Sequence, residues 1–107
     1  MAPEQKTIVC YAVIMSAKKS KKQLKEMLAI ATDMVPENTL WRHYKGNDYI
    51  VDCIAFDEET LDFEVIYHPL HHPTLHFSRA LVVWLETVEY NGHTLPRFEH
   101  LLSNSTS

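Results

Sequence analysis

At 107 residues the chain has the length of one domain, with a modest core and little room for a buried active-site cleft. Its apolar fraction of 46% and charged fraction of 22% exclude a chain that is disordered beyond its ends. The net charge of −4 is unevenly spread: residues 1–47 hold eight Lys/Arg against four Asp/Glu, and residues 48–107 hold two against ten. Affinity for nucleic acid comes largely from neutralised phosphates, so the acidic part repels a polyphosphate and only the basic N-terminal part offers an electrostatic footprint.

Residues 1–6 read as a frayed end. Residues 7–15, Thr-Ile-Val-Cys-Tyr-Ala-Val-Ile-Met, read as a buried strand because Thr, Ile, Val and Tyr favour strands. The run is too short to cross a bilayer, has only Lys6 as a basic residue ahead of it, and ends on a poor cleavage site at Met15-Ser16-Ala17. Neither membrane anchor nor signal peptide is expected, and the chain reads as cytoplasmic. Cys10 and Cys53 then read as reduced core thiols, a bridge between them being the alternative.

Ser20 with Gln23 three residues on predicts a capping box. Leu24, Met27, Leu28, Ala31 and Val35 follow at helical spacing, and Pro36 stops the helix near Met34. Lys21, Lys22, Lys25 and Glu26 fall off the apolar stripe. From Leu40 the period changes to strands. Leu40–Tyr44 and Tyr49–Phe56 flank a turn at Lys45-Gly46-Asn47-Asp48, where glycine supplies positive φ. Both faces of Tyr49–Phe56 are apolar, which calls for a cover on the outside, either the helix or a second copy in a homo-oligomer. Asp57-Glu58-Glu59-Thr60 is a turn, and Leu61–Tyr67 is a strand with Phe63, Val65 and Tyr67 on one face. Pro69 and Pro73 bracket a loop. Ala80–Leu85 fits a helical turn or a strand, and Glu86–Tyr90 a strand. Asn91-Gly92 marks a hairpin, Leu95–Phe98 returns as a closing strand kept to an edge by Pro96, and residues 103–107 read as a disordered tail.

Several of these segments carry a recurring series: His43-Tyr44-Lys45-Gly46-Asn47, Glu59-Thr60, Val65-Ile66-Tyr67, Arg79 with Leu81, Trp84-Leu85-Glu86-Thr87-Val88, and Leu95-Pro96-Arg97-Phe98. In that order they resemble the family known as domain of unknown function 1653, whose pattern reads HYKGN, ET, VVY, WVRPL, MF-x-E-x-V, DG and PRF. The resemblance spans residues 43–98, a little over half the chain. It implies a small SH3-like β-barrel of about five strands over residues 40–100, and no assigned activity. With the strand and helix of residues 7–36 ahead of it, the whole is an α+β single domain. The chain departs from the pattern where Phe77, Ser78 and Ala80 replace its tryptophan, valine and proline, and where His71-His72 stand near a usual Tyr-Gly.

The resemblance makes Arg79 a site candidate, since it matches the arginine of WVRPL at a loop-to-strand junction. A guanidinium there either grips a carboxylate or phosphate in a fork or makes a structural ion pair, with Glu86 the natural partner. Tyr44, Lys45 and Tyr67 form an aromatic and basic set suited to a shallow groove, of the kind on which SH3-like domains dock extended peptides, and Phe77 offers a stacking face. Arg97 reads as a pin between the last strand and an acidic neighbour. His68, His71, His72 and His76 hold enough imidazole for zinc, but no carboxylate or Cys lies within their string, and no metal or cofactor is expected. With two glycines in the chain there is no phosphate-binding loop. Ser78 beside His76 lacks a third group to make a triad, and Cys53 with His43 makes a thiol–imidazole pair only if the hairpin joins them. Three readings follow, in order: a non-catalytic module binding a peptide, protein or small anionic group through Tyr44, Lys45, Tyr67, Phe77 and Arg79; a nucleic-acid accessory protein using Lys18, Lys19, Lys21, Lys22 and Lys25; and a metal-dependent hydrolase on the histidine loop.

Overall fold

In the computed structural model, which describes residues 20–102, the first element is helix α1, Lys21–Met34. The capping box forms: Gln23 N–H donates to Ser20 Oγ at 3.1 Å and Ser20 N–H to Gln23 Oε1 at 2.9 Å. The helix closes where Val35 N–H reaches the Ala31 carbonyl at 2.9 Å, one residue ahead of Pro36. Met27, Ala31 and Val35 are buried, while Lys21, Lys22 and Lys25 are exposed. The strand expected over residues 7–15, Cys10, Lys18, Lys19 and the tail at 103–107 lie outside the described residues.

Among the described residues seven strands follow: β1 Leu40–His43, β2 Asp48–Phe56, β3 Phe63–Pro69, β4 Phe77–Ala80, β5 Thr87–Tyr90, β6 His93–Pro96 and β7 Phe98–Leu101. The helical turn α2, Leu81–Trp84, separates β4 from β5 and resolves the ambiguous stretch in favour of helix. Among the described residues all pairings are antiparallel, so the fold is α+β, a helix followed by antiparallel strands. The expected closed barrel is corrected. Among the described residues, strands pair in the order β4-β3-β2-β1-β7 as an open sheet, and β5-β6 form a separate ribbon. The expected closing strand Leu95–Phe98 is divided between the two. Asn91 and Gly92, with φ of 52° and 78°, fold β5 onto β6 through a turn that matches strand twist. Pro96 has no N–H to extend a ladder, and Arg97 bends the chain out of the ribbon and into β7. Two backbone bonds hold that bend, from Arg97 N–H to the Glu86 carbonyl at 2.8 Å and from Tyr44 N–H to the Arg97 carbonyl at 3.0 Å.

The phase of β2 also differs from simple alternation. The β2–β3 register runs Val51 opposite Tyr67 and then Cys53 opposite Ile66, so Asp52 is an extra residue in a bulge. The bulge lets Val51 and Ile54, three apart, both enter the core. It explains why both faces of this strand look apolar in sequence. A single core joins Met27, Ala31 and Val35 to Trp41, Val51, Ile54, Phe63, Val65, Tyr67, Leu81, Trp84 and Phe98. At its centre Trp84 and Phe98 stack with centroids 3.7 Å apart.

Candidate functional site

The β1–β2 turn is held by Gly46 N–H to the His43 carbonyl at 2.7 Å and His43 N–H to the Asn47 carbonyl at 2.8 Å. Gly46 sits at φ 109°, a conformation closed to most side chains. At the base of the turn Arg42 grips Asp48 with two bonds of 2.8 and 3.1 Å. Lys45 N–H donates to His43 Nδ1 at 3.2 Å, so the neutral imidazole carries its hydrogen on Nε2. The His43 ring lies against Tyr44 at 4.5 Å and edge-on to Phe98 at 5.0 Å.

Opposite this turn stand β3 and β4. Tyr67 is buried among Tyr49, Trp84 and Phe98, with ring centroids at 5.3, 5.0 and 6.0 Å. Arg79 pairs in register with Val65 and so shares the inner face with Tyr67. Its guanidinium lies over Phe98 at 5.3 Å, and its Nε–H makes a long contact of 3.4 Å to the Tyr67 hydroxyl. The expected Arg79–Glu86 ion pair is corrected: Glu86 pairs with Arg97 at 3.1 Å, because α2 carries it away from β4 to the bend that Arg97 makes. Among the described residues no carboxylate pairs with Arg79. Arg97 keeps one buried N–H, at Nε, without a hydrogen-bond partner among those residues.

These side chains enclose a hollow of about 370 Å³, lined by His43, Tyr44, Lys45, Asn47, Tyr49, Tyr67, Arg79, Arg97 and Phe98. None of them is acidic. Burial first, and then the charges of Arg79, Arg97 and Lys45, hold the His43 imidazolium pKa below its ordinary value. A second cleft of about 480 Å³ shares the Asn47 and Tyr49 wall and runs on toward Pro69, Leu70, His71 and His72. Four of the five expected residues, Tyr44, Lys45, Tyr67 and Arg79, meet in the first hollow. Phe77 does not line it; about half exposed, it stands 6.0 Å from Tyr67 at the sheet edge. Sequence reasoning missed His43, Asn47, Tyr49, Arg97 and Phe98 as neighbours, although His43, Asn47, Arg97 and Phe98 lie in the quoted motifs.

The remaining candidates separate. Ser78 Oγ donates to Glu64 at 2.6 Å and has no catalytic geometry with His76. Cys53 is half-buried, and burial with the nearby Glu37 and Asp52 charges raises its thiol pKa, which keeps it protonated and unreactive. His71 and His72 are exposed in the loop after β3, whereas His68 and His76 turn toward Asp52, each at 2.8 Å.

The protein is thus of the small α+β class, an open antiparallel sheet with a cationic, aromatic hollow at one hairpin. The profile of the family described as a protein of unknown function, DUF1653, matches residues 39–100, and the chain belongs to that family. It is similar to the crystal structure of a DUF1653 protein from Bordetella bronchiseptica, at 30% identity and a TM-score of 0.56, over 64% of this chain and 90% of that one. No curated protein matches the chain. Among the described residues no helix is long and apolar enough to cross a membrane.

Proposed function

We propose that the chain is a non-catalytic, cytoplasmic binding module that takes an anionic group, a carboxylate or phosphate, borne on an extended peptide. The observation that carries this reading is the placement of Lys45, Arg79 and Arg97 around one aromatic-walled hollow with no acidic lining residue, Arg79 having no carboxylate partner among the described residues. Arg79 presents a planar fork matched to carboxylate or phosphate oxygens, Lys45 adds a mobile charge, and Tyr44, Tyr49 and Tyr67 supply flat apolar walls. The adjoining cleft toward Pro69 and Leu70 gives a peptide chain room to continue. This keeps the SH3-like manner of binding, an extended segment laid on aromatics, on a sheet that is open rather than closed.

The test is an amide NMR titration of the labelled full chain with inorganic phosphate, with an acidic peptide and with a short single-stranded RNA, at low and physiological salt. Shifts at Tyr44, Lys45 and Arg79 that survive salt and disappear in Arg79→Ala support the groove. Shifts confined to the exposed Lys21, Lys22 and Lys25 that vanish with salt move the function to α1, as a nucleic-acid accessory surface. An unresponsive groove under all three probes rejects the proposal.

A further inference from the structure

On the outer face of the sheet, opposite the groove, a second constellation has formed. We propose that Asp52, His68 and His76 bind a divalent first-row transition ion of the zinc class. Their ligating atoms all lie within 4.8 Å of one another. His68 Nδ1 meets Asp52 Oδ1 and His76 Nδ1 meets Asp52 Oδ2, each at 2.8 Å, and the two rings stand edge to face at 5.7 Å.

Three adjacent strands build this arrangement. His68 is the residue of β3 that follows Tyr67, and His76 precedes Phe77, the β4 partner of Tyr67. Continuing that register sets the two histidines opposite each other, and strand alternation turns His68 away from the buried Tyr67. The β2 bulge then supplies the carboxylate that the histidine string lacks, since Asp52 is the residue left without a β3 partner. Two imidazoles and one carboxylate suit zinc and its neighbours in the series, and three protein ligands leave a position for water or an outside ligand. The site is open enough for that: the side chains of His68, Asp52 and His76 are 15%, 26% and 53% exposed.

The geometry needs little change. Tetrahedral ligands at about 2.0–2.2 Å from an ion stand about 3.4 Å apart, so each 2.8 Å contact opens by about 0.6 Å and the two histidine nitrogens, within 4.8 Å of each other, settle to the same separation. His76, at the exposed end of a loop, is free to make that movement. Without metal, each Nδ1 carries the hydrogen that it gives to the Asp52 carboxylate. With metal, Nδ1 must be bare, and the neutral ring holds its hydrogen on Nε2.

That tautomer exchange is the readout. Zinc is added to one equivalent to the nitrogen-15-labelled full chain, and histidine ring nitrogens are followed by long-range proton–nitrogen NMR. His68 and His76 are expected to pass from the Nδ1–H to the Nε2–H form, while His71 and His72 are unchanged. Affinity is expected to fall at least about tenfold in His76→Ala and in the near-isosteric Asp52→Asn. It should be unaffected in the His71→Ala/His72→Ala double variant. His76→Ala removes an exposed ring, so its fold is expected to persist, and an unchanged thermal midpoint without metal verifies this. Magnesium, which prefers oxygen ligands, is expected to leave the ring nitrogens unmoved. Zinc affinity retained in His76→Ala, or lost in the His71/His72 variant, would place the ion on the loop and overturn the proposal. Rings that stay Nδ1–H under saturating zinc would reduce the cluster to a hydrogen-bonded bridge.

Discussion

The two faces of the β3–β4 hairpin make a natural comparison. On the inner face Tyr67 and Arg79 serve a hollow ringed by Lys45, Arg97 and Arg79. On the outer face, the adjacent His68 and His76 close on Asp52. One pair of strands thus carries a cationic surface and a carboxylate–imidazole cluster, separated only by the alternation of side chains. They also differ in origin. The inner hollow is assembled from segments that carry the family's pattern. The outer cluster depends on a one-residue bulge and on two histidines in the part of the chain between the VVY-like and WVRPL-like segments. The comparison teaches that strand alternation lets one short hairpin present a cationic surface on one face and a carboxylate–imidazole cluster on the other.

The comparison breaks most completely if the shared support is removed. Trp84 is 1% exposed, stacks on Phe98 and edges on Tyr67, so Trp84→Ala is expected to cost about 3–5 kcal/mol and to flatten the hollow. Denaturant unfolding measures the loss. Trp84→Phe should cost much less, because the indole Nε1 is buried without a partner among the described residues and its removal ends that penalty.

A sharper division comes from Arg79→Ala. Hydrogen bonds to charged groups contribute about 1.5–3 kcal/mol, so anion affinity should fall by about tenfold to a hundredfold, measured by calorimetric titration. Zinc binding by the outer cluster should be unaffected, since Arg79 lies on the other face. Equal loss at both sites would show that the two faces are coupled.

Ser20→Ala, which deletes the capping box of α1 and touches neither face, should cost about 1 kcal/mol in thermal or chemical unfolding. It is a control for nonspecific loss of stability.

The smallest effect is the pH dependence carried by His43, and its sign follows from linkage. The folded state holds the His43 pKa below the ordinary value near 6.5, so between the two values the unfolded chain binds a proton that the native chain does not. Stability from this group is complete above about pH 6.5 and is lost as pH falls through that window. An anion in the hollow offsets the charges of Arg79, Arg97 and Lys45, so saturation with phosphate should raise the His43 pKa. A pH titration of its ring protons by NMR, with and without phosphate, checks this, and an unchanged value places the anion elsewhere.

Much of the frame was legible in the residues because it rests on local chemistry. Ser20 and Gln23 announce the start of α1, Pro36 its end, and Gly46 and Asn91-Gly92 the β1–β2 and β5–β6 hairpins, each through backbone preferences that act within a few positions. Tyr44, Lys45, Tyr67 and Arg79 were likewise readable as a set. Their partners Arg97 and Phe98 were not joined to them, since no local rule says that β7 pairs with β1. Long-range contacts decided three further matters: that the sheet stays open, that Glu86 meets Arg97 rather than Arg79, and that Asp52 bulges beneath His68 and His76. The sequence by itself determined α1, the β2 and β3 segments and the turns at Gly46 and Asn91-Gly92, since hydrophobic period and turn residues act on neighbours, but it left Ala80–Leu85 open and joined in Leu95–Phe98 what the structure divides between two strands. Only the tertiary structure decided which charges face each other, because strand order and the bulge set those distances between residues far apart in the chain.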